Sequence, residues 1–186
     1  MPITLRKLKL TDGDKERRFL QSFPHVENGF HNPAHEEDLA DKESFKKWLK
    51  KKVDESNGIT REGHVPQTIY WVESEGKIVG VGKVRHYLND DLRHNGGGHI
   101  GLGGIAKENR GKGIGTEALR LLIEEARKLG EKDLLITPSE NNFGSRRITE
   151  KNGGVLEKII DDPRYPDKRL AFYWIKDKTD FSSFEQ

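Results

Sequence analysis

The segment Asn109-Arg110-Gly111-Lys112-Gly113-Ile114-Gly115-Thr116 lies between an apolar, strand-like stretch and a long amphipathic helix. This succession of strand, glycine loop and helix constrains the fold more than any other feature of the chain. Glycines spaced by one residue let the backbone approach a ligand and adopt angles that a Cβ forbids, so successive N–H groups can converge on one anion. The helix that follows presents its N-terminus, where unpaired N–H groups and the macrodipole favour an anion by roughly 0.3–1 kcal/mol. Arg110 and Lys112 add full charges. The segment reads as a cradle for a pyrophosphate rather than a plain turn.

Two common nucleotide motifs do not fit it. A P-loop needs G-x-x-x-x-G-K-[ST], but Gly104 and Gly111 are too far apart and Lys112 is followed by Gly113. A Rossmann fingerprint begun at Gly111 needs glycine or alanine where Thr116 stands, and an acidic residue closing the next strand. That strand, Asp133 to Thr137, ends in Thr137-Pro138.

Periodicity supplies the surrounding elements. Ile3, Leu5 and Leu8 suggest a first strand ending near Leu10, and Phe19, Leu20 and Phe23 the apolar side of a short helix stopped by Pro24. Glu27 to Ala40 reads as a loop. Phe45, Trp48, Leu49 and Val53 mark one face of a second helix closed by Asn57-Gly58. Thr68–Val72 and Lys77–Val84 form a predicted hairpin about Ser74-Glu75-Gly76. Asn89 to Gly98 reads as a polar turn into a strand over His99–Ile105. Ile114, Ala118, Leu119, Leu122, Ile123, Ala126 and Leu129 trace the face of a long helix that Gly130 ends. A short strand at Asp133–Thr137, a short helix over 145–152 and strands at Val155–Ile160 and Leu170–Lys176 follow. The fold class is α/β, α+β layered: a mixed, largely antiparallel central sheet flanked by helices.

With 186 residues, one domain spanning 1–186 is the simplest count, with 177–186 as a loosely attached tail. Charged residues make up 34% of the chain, yet 33 basic and 31 acidic residues leave a net charge of only +2. That balance supplies no field demanding nucleic acid or a membrane surface. The absence of cysteine removes disulfides, thiolate metal sites and a covalent acyl-cysteine intermediate. No apolar run reaches the roughly 18 residues of a membrane span, and the N-terminus lacks a secretory pattern, so the expected location is the cytoplasm.

The pattern that does fit is R-x-x-G-x-G, here Arg110-Gly111-Lys112-Gly113-Ile114-Gly115, entered from Gly101-Leu102-Gly103-Gly104-Ile105 and leaving into Thr116-Glu117-Ala118-Leu119. With Asn142-x-x-Ser145 and Glu150-Lys151-Asn152-Gly153-Gly154, this resembles the GNAT superfamily of acyl-CoA N-acyltransferases over about residues 98 to 157; Arg85-His86-Tyr87-Leu88-Asn89 and Gly98-His99-Ile100-Gly101, together with the run from Glu150 to Gly154, look like a bacterial subgroup of predicted acetyltransferases. The resemblance implies acetyl-CoA as cosubstrate. It also implies direct attack of a primary amine, on a small molecule or peptide, at the thioester carbonyl through a tetrahedral intermediate.

By the same resemblance Gly103, Gly104 and Ile105 pair with the pantetheine arm, and a backbone N–H there polarises the carbonyl. Arg110, Gly111, Lys112, Gly113, Ile114, Gly115 and Thr116 hold the pyrophosphate. Asn142 contacts the pantetheine region and Ser145 begins the next helix, although both residue types also serve as plain N-caps.

Many family members carry a tyrosine seven residues after the asparagine, thought to protonate the departing thiolate, and this chain has Thr149 there. Tyr165, Tyr173, Tyr87 or a water are the substitutes. An amine of pKa about 10.4 is almost wholly protonated near neutral pH, so a base is also needed. His86, His94 and His99 are the candidates, with His99 first.

Specificity is expected from the first half, where His25, His31, His35, Glu36, Glu37 and Asp38 offer an attraction for a cationic amine. The lysines between Lys46 and Lys52 read as the wet face of a helix rather than a nucleic-acid patch. Two other classes stay open: an acyl-CoA-binding sensor without turnover, and a nucleotide-binding regulator. Family habit also admits a homodimer.

Overall fold

The computed structural model describes residues 2–23, 26–27 and 30–177. Strand β1 (Ile3–Lys7) leads into helix α1 (Asp14–Gln21), a two-strand hairpin of β2 (Val26–Glu27) and β3 (Phe30–His31), and helices α2 (Glu36–Leu39) and α3 (Lys42–Ser56). The long hairpin β4 (Gln67–Ser74) and β5 (Lys77–Arg85), helix α4 (Asp90–Asn95), strand β6 (Ile100–Ile105) and helix α5 (Ile114–Lys128) follow. Strand β7 (Leu134–Ile136), helix α6 (Phe143–Lys151), β8 (Val155–Asp161) and β9 (Arg169–Ile175) complete the described chain.

The expected α/β layering is present, with largely antiparallel strands flanked by helices. The strands divide between a four-stranded sheet, β1-β4-β5-β6, and a three-stranded sheet, β7-β9-β8. Two cores hold the larger sheet from both sides. On one face Phe45, Trp48 and Leu49 of α3 join Leu20 of α1 against Ile69, Trp71 and Val81. On the other, Leu119, Leu122 and Ile123 of α5 meet Tyr70, Val84 and Ile100, and also Leu134 and Ile136 of the smaller sheet. Helix α5 is thus buried against both sheets, as its unbroken apolar stripe requires. A close approach at Gly82 allows this: a Cβ there would stand 2.6 Å from Leu122 Cδ1.

Arg6 clamps the start of the chain. Its guanidinium donates to Asp12 (2.6 Å), Glu16 (2.9 Å) and Glu73 (2.7 Å), so one cation ties β1 to the α1 entry and to β4. Trp71 Nε1 donates to the second Asp12 oxygen at 2.8 Å. These partners hold the Arg6 pKa above its ordinary value despite burial.

Three expectations need correction. The segment Glu27 to Ala40 is not a loop throughout: it carries the β2–β3 pairing and α2, whose acidic run is a helical first turn with Asp38 Oδ2 accepting from the His35 amide at 2.9 Å. The polar stretch 89–98 holds α4, capped by the Asn89 side chain on the Leu92 amide. The first strand stops at Lys7, three residues short of Leu10. Pro24 and His25, and residues 178–186 of the expected tail, lie outside the described residues.

Candidate active site

The two sheets meet at one point. The His99 amide donates to Leu135 O at 2.7 Å, and the Leu135 amide donates to His99 Nδ1 at 2.9 Å. Glycines make the approach possible, since a Cβ on Gly98 would lie 2.3 Å from Leu135 O. No ladder joins β6 to β7, and a cleft of about 380 Å³ opens between them. Gly101, Leu102 and Gly103 line one side, Ile136, Thr137 and Pro138 the other.

The cleft edge on β6 is irregular where the chemistry needs it. Val81 pairs with Gly104 and Gly82 with Leu102, so the ladder skips Gly103. A β-bulge of this kind leaves the extra residue's backbone groups unpaired by the neighbouring strand. A cleft-lining backbone with unpaired amides can pair with an extended ligand arm or polarise a carbonyl.

Past the cleft, the chain turns through the glycine loop into α5. Gly111 and Gly113 take φ of 76° and 80°, the left-handed region that glycine enters without penalty. A Cβ at either would meet nothing within 4 Å, so the loop faces open space. Gly113 is the N-cap of α5 and no side chain caps the helix, which leaves its first-turn amides to an outside acceptor. The acid in that first turn, Glu117, is drawn aside by Arg120 at 2.7 Å, and the charge pair pulls its pKa down. Arg110 Nε donates to Ile105 O at 2.9 Å and anchors the loop to the end of β6. An anionic group fits this concavity.

Helix α6 stands beside it. Gly115 permits the contact, because a Cβ there would lie 2.8 Å from Ile148 Cδ1. Asn152 secures it by donating to Thr116 O at 3.1 Å, which gives the Glu150-Lys151-Asn152-Gly153-Gly154 run a structural task. Asn142 and Ser145 at the α6 N-terminus line the cleft. The Asn142 side chain also caps the helix, accepting from the Ser145 amide at 3.0 Å.

The sequence-nominated acid and base candidates separate clearly. His99 is fully buried and both ring nitrogens are engaged, Nδ1 by Leu135 and Nε2 with Glu131 at 3.1 Å. Burial lowers its pKa, with Glu131 opposing. The ring fastens the sheet junction and is not among the residues that line the cleft. Tyr173 is also buried; it donates to Glu150 at 2.7 Å and accepts from Arg146 at 2.9 Å, away from the cleft lining. Thr149 donates to Ser145 O within α6. His86 bonds Thr68, and His94 bonds the Asp90 carbonyl within α4. Tyr165 alone of these lines the cleft, with Lys168 over its ring.

Sequence reasoning passed over two residues that do line it, Lys83 and Arg85 on β5. Arg85 Nη1 donates to Gly97 O (2.6 Å) and Gly98 O (2.7 Å), setting the entry to β6. The available signal was a pair of basic residues at i and i+2 following the apolar run Ile78–Gly82, where alternation puts both on one face.

The family model for the acetyltransferase (GNAT) domain matches residues 3–155. No match was found among curated proteins. Among solved structures, the ribosomal-protein-S5-alanine acetyltransferase from Vibrio fischeri superposes with a TM-score of 0.72 at 17% identity, covering 95% of this chain and 94% of that one. RimJ of Mycobacterium smegmatis, in complex with CoA-disulfide, gives 0.71 at 17%, covering 94% and 81%. The microcin C7 self-immunity acetyltransferase MccE, in complex with acetyl-CoA and AMP, gives 0.63 at 20%, covering 94% and 92%. At these identities the likeness is one of fold, and the family match carries the assignment: the chain belongs to the GNAT acetyltransferase family.

Proposed function

We propose that this protein transfers the acetyl group of acetyl-CoA to a primary amine in the cleft between β6 and β7. The observation that carries the reading is the pairing of an uncapped helix N-terminus behind two left-handed glycines with a cleft whose β6 wall is bulged at Gly103. In this arrangement the loop from Arg110 to Thr116 holds the pyrophosphate. Gly103, Gly104 and Ile105 offer backbone groups to the pantetheine arm and to the carbonyl oxygen, and Asn142 and Ser145 border the arm from the other side.

Acetyl-CoA supplies an activated thioester. The protein's part is to orient that carbonyl toward the incoming amine, to stabilise charge on its oxygen with a backbone N–H, and to exclude the bulk of the solvent. Tyr165 is the cleft tyrosine available to protonate the departing sulfur; nominated as the acid, it replaces the family tyrosine at the Thr149 position. Crystal complexes of relatives with CoA or with acetyl-CoA support the donor. No helix among the described residues is long and apolar enough to cross a membrane.

The test is thiol release from acetyl-CoA across a panel of amines, run with the native protein and Tyr165→Phe. The expected result is release with at least one amine, and a Tyr165→Phe kcat lower by about 10²-fold, the low end for a positioned acid. Binding of acetyl-CoA without release for any amine would replace transfer by the sensor reading.

A further inference from the structure

The part of the cleft bordered by β5 has a charge pattern that the transfer reaction does not explain. Lys83 and Arg85 stand two residues apart on one face of β5, both partly buried and both lining the cleft. Their neighbours there are cationic as well: Lys52, Arg164 and Lys168. The nearby acids are already engaged. Glu55 binds Lys52 at 3.0 Å, and Asp162 binds Arg164 at 3.0 Å. Among the described residues neither Lys83 nor Arg85 has a carboxylate within ion-pair distance.

Two cations without a carboxylate partner in a partly desolvated cleft repel each other, and folding gains nothing from that. Burial, then the nearby Arg85 and Lys52, push the Lys83 ammonium down to about 7, with Glu55 opposing and Arg164 adding a smaller push. Burial and Arg164 push Arg85 down to about 10. The Lys83 stem lies against Gly101, whose Cβ would come 3.0 Å from Lys83 Cε, so the side chain runs along the β6 wall. An anion seated between Lys83 and Arg85 would offset both charges at once, with Arg85 Nη1 keeping its bonds to Gly97 O and Gly98 O.

We propose that the acceptor is an amine that also carries an anionic group, a carboxylate or a phosphate, and that Lys83 and Arg85 hold that group. The inference rests on the cleft being the transfer site. The anion is a handle and takes no part in bond changes: the amine nitrogen bonds the acetyl carbon, the carbon–sulfur bond breaks, and the proton lost by nitrogen ends on the CoA thiol. The same arrangement rejects a polycationic amine by repulsion, which reverses the acceptor preference expected from Glu36, Glu37 and Asp38. Those acids belong to α2, and none of the three lines the cleft.

Two matched pairs of acceptors test this by thiol release: glycine against glycinamide, and 2-aminoethyl phosphate against ethanolamine. The first pair reads the carboxylate, the second the phosphate. The expected result is a kcat/KM at least tenfold higher for the anionic member of one pair, a ratio that collapses toward one in Lys83→Met through KM and returns in Lys83→Arg. Equal or better use of both neutral members overturns the proposal, as does an unchanged ratio in Lys83→Met. So does loss of kcat in Lys83→Met for charged and neutral acceptors alike at constant KM, which would make Lys83 a proton carrier instead.

Should none of the four be acetylated, NMR titration of 13C-labelled lysine in the full chain decides. Inorganic phosphate or succinate is expected to raise the Lys83 titration midpoint, while succinamide leaves it in place. No movement with either anion overturns the anion site. The same titration without CoA reads the cation pair even if acetyl-CoA proves not to bind, which separates failure of this inference from failure of the transferase reading.

Discussion

Both nitrogens of the His99 imidazole are engaged, Nδ1 by the Leu135 amide and Nε2 by the Glu131 carboxylate. An Nδ1 that accepts from a backbone N–H carries no proton, so the fold selects the neutral ring with its proton on Nε2. Desolvation depresses the His99 pKa below its unfolded value of about 6.5. His86 is lowered too, by burial and by Lys7. For a base with a depressed folded pKa, the unfolded chain takes up more protons at low pH. The stabilising contribution is therefore complete above about pH 6.5 and lost as pH falls from there through the folded pKa. Denaturant unfolding at pH 7 and at pH 5.5 is expected to show the native protein losing stability on acidification. His99→Gln, less stable at pH 7, should lose less. An equal loss in both would mean that His99 does not titrate on unfolding. The residue was visible in the sequence as a histidine on a central strand. Its partners Leu135 and Glu131 were not, because both are more than 30 positions away and only the folded chain brings them near.

At the scale of elements, what the sequence revealed follows from periodicity. Helices α3 and α5 carry enough turns for an apolar stripe to stand out, and the β4–β5 hairpin is announced by Ser74-Glu75-Gly76, where Glu75 and Gly76 take φ of 50° and 73°. The four-residue α2 and two-residue β2 and β3 are too short to establish any period, and they were read as loop. Contacts joining distant elements were equally hidden. Arg6 binds three carboxylates from α1, its entry turn and β4, and Asp12 among them has a side chain only 4% exposed. Removing the cation strands these acids. Arg6→Ala is expected to cost roughly 3 kcal/mol, the low end for breaking a buried pair because the arginine itself keeps some contact with water. Urea unfolding of the two proteins at pH 7 gives the difference. A loss under about 1 kcal/mol, the range of exposed pairs, would show that the cluster acts as a surface network.

For the whole molecule, the proposed function rests on how two sheets fail to become one. A single continuous sheet would seal the gap between β6 and β7; here His99, Gly98 and Leu135 close one end of it and leave a cleft beyond. The geometry of the glycine loop was legible because glycine spacing, flanking strand and flanking helix are all local. The cationic cleft was not, since Lys83, Arg85 and Arg164 come from β5 and from the β8–β9 connection, and their convergence is tertiary. The central claim is that this geometry binds acetyl-CoA through the glycine loop. Calorimetric titration with acetyl-CoA, with ATP and NAD as controls, tests it most directly when the native protein is compared with Gly113→Glu. That substitution puts a carboxylate where phosphate approaches, at a φ of 80° that costs a non-glycine residue roughly 1–2 kcal/mol. The account predicts selective binding of acetyl-CoA by the native protein and at least a tenfold loss, about 1.4 kcal/mol, in the variant, with its helical circular dichroism retained. Unchanged affinity in the folded variant, or binding of ATP in place of acetyl-CoA, would contradict it.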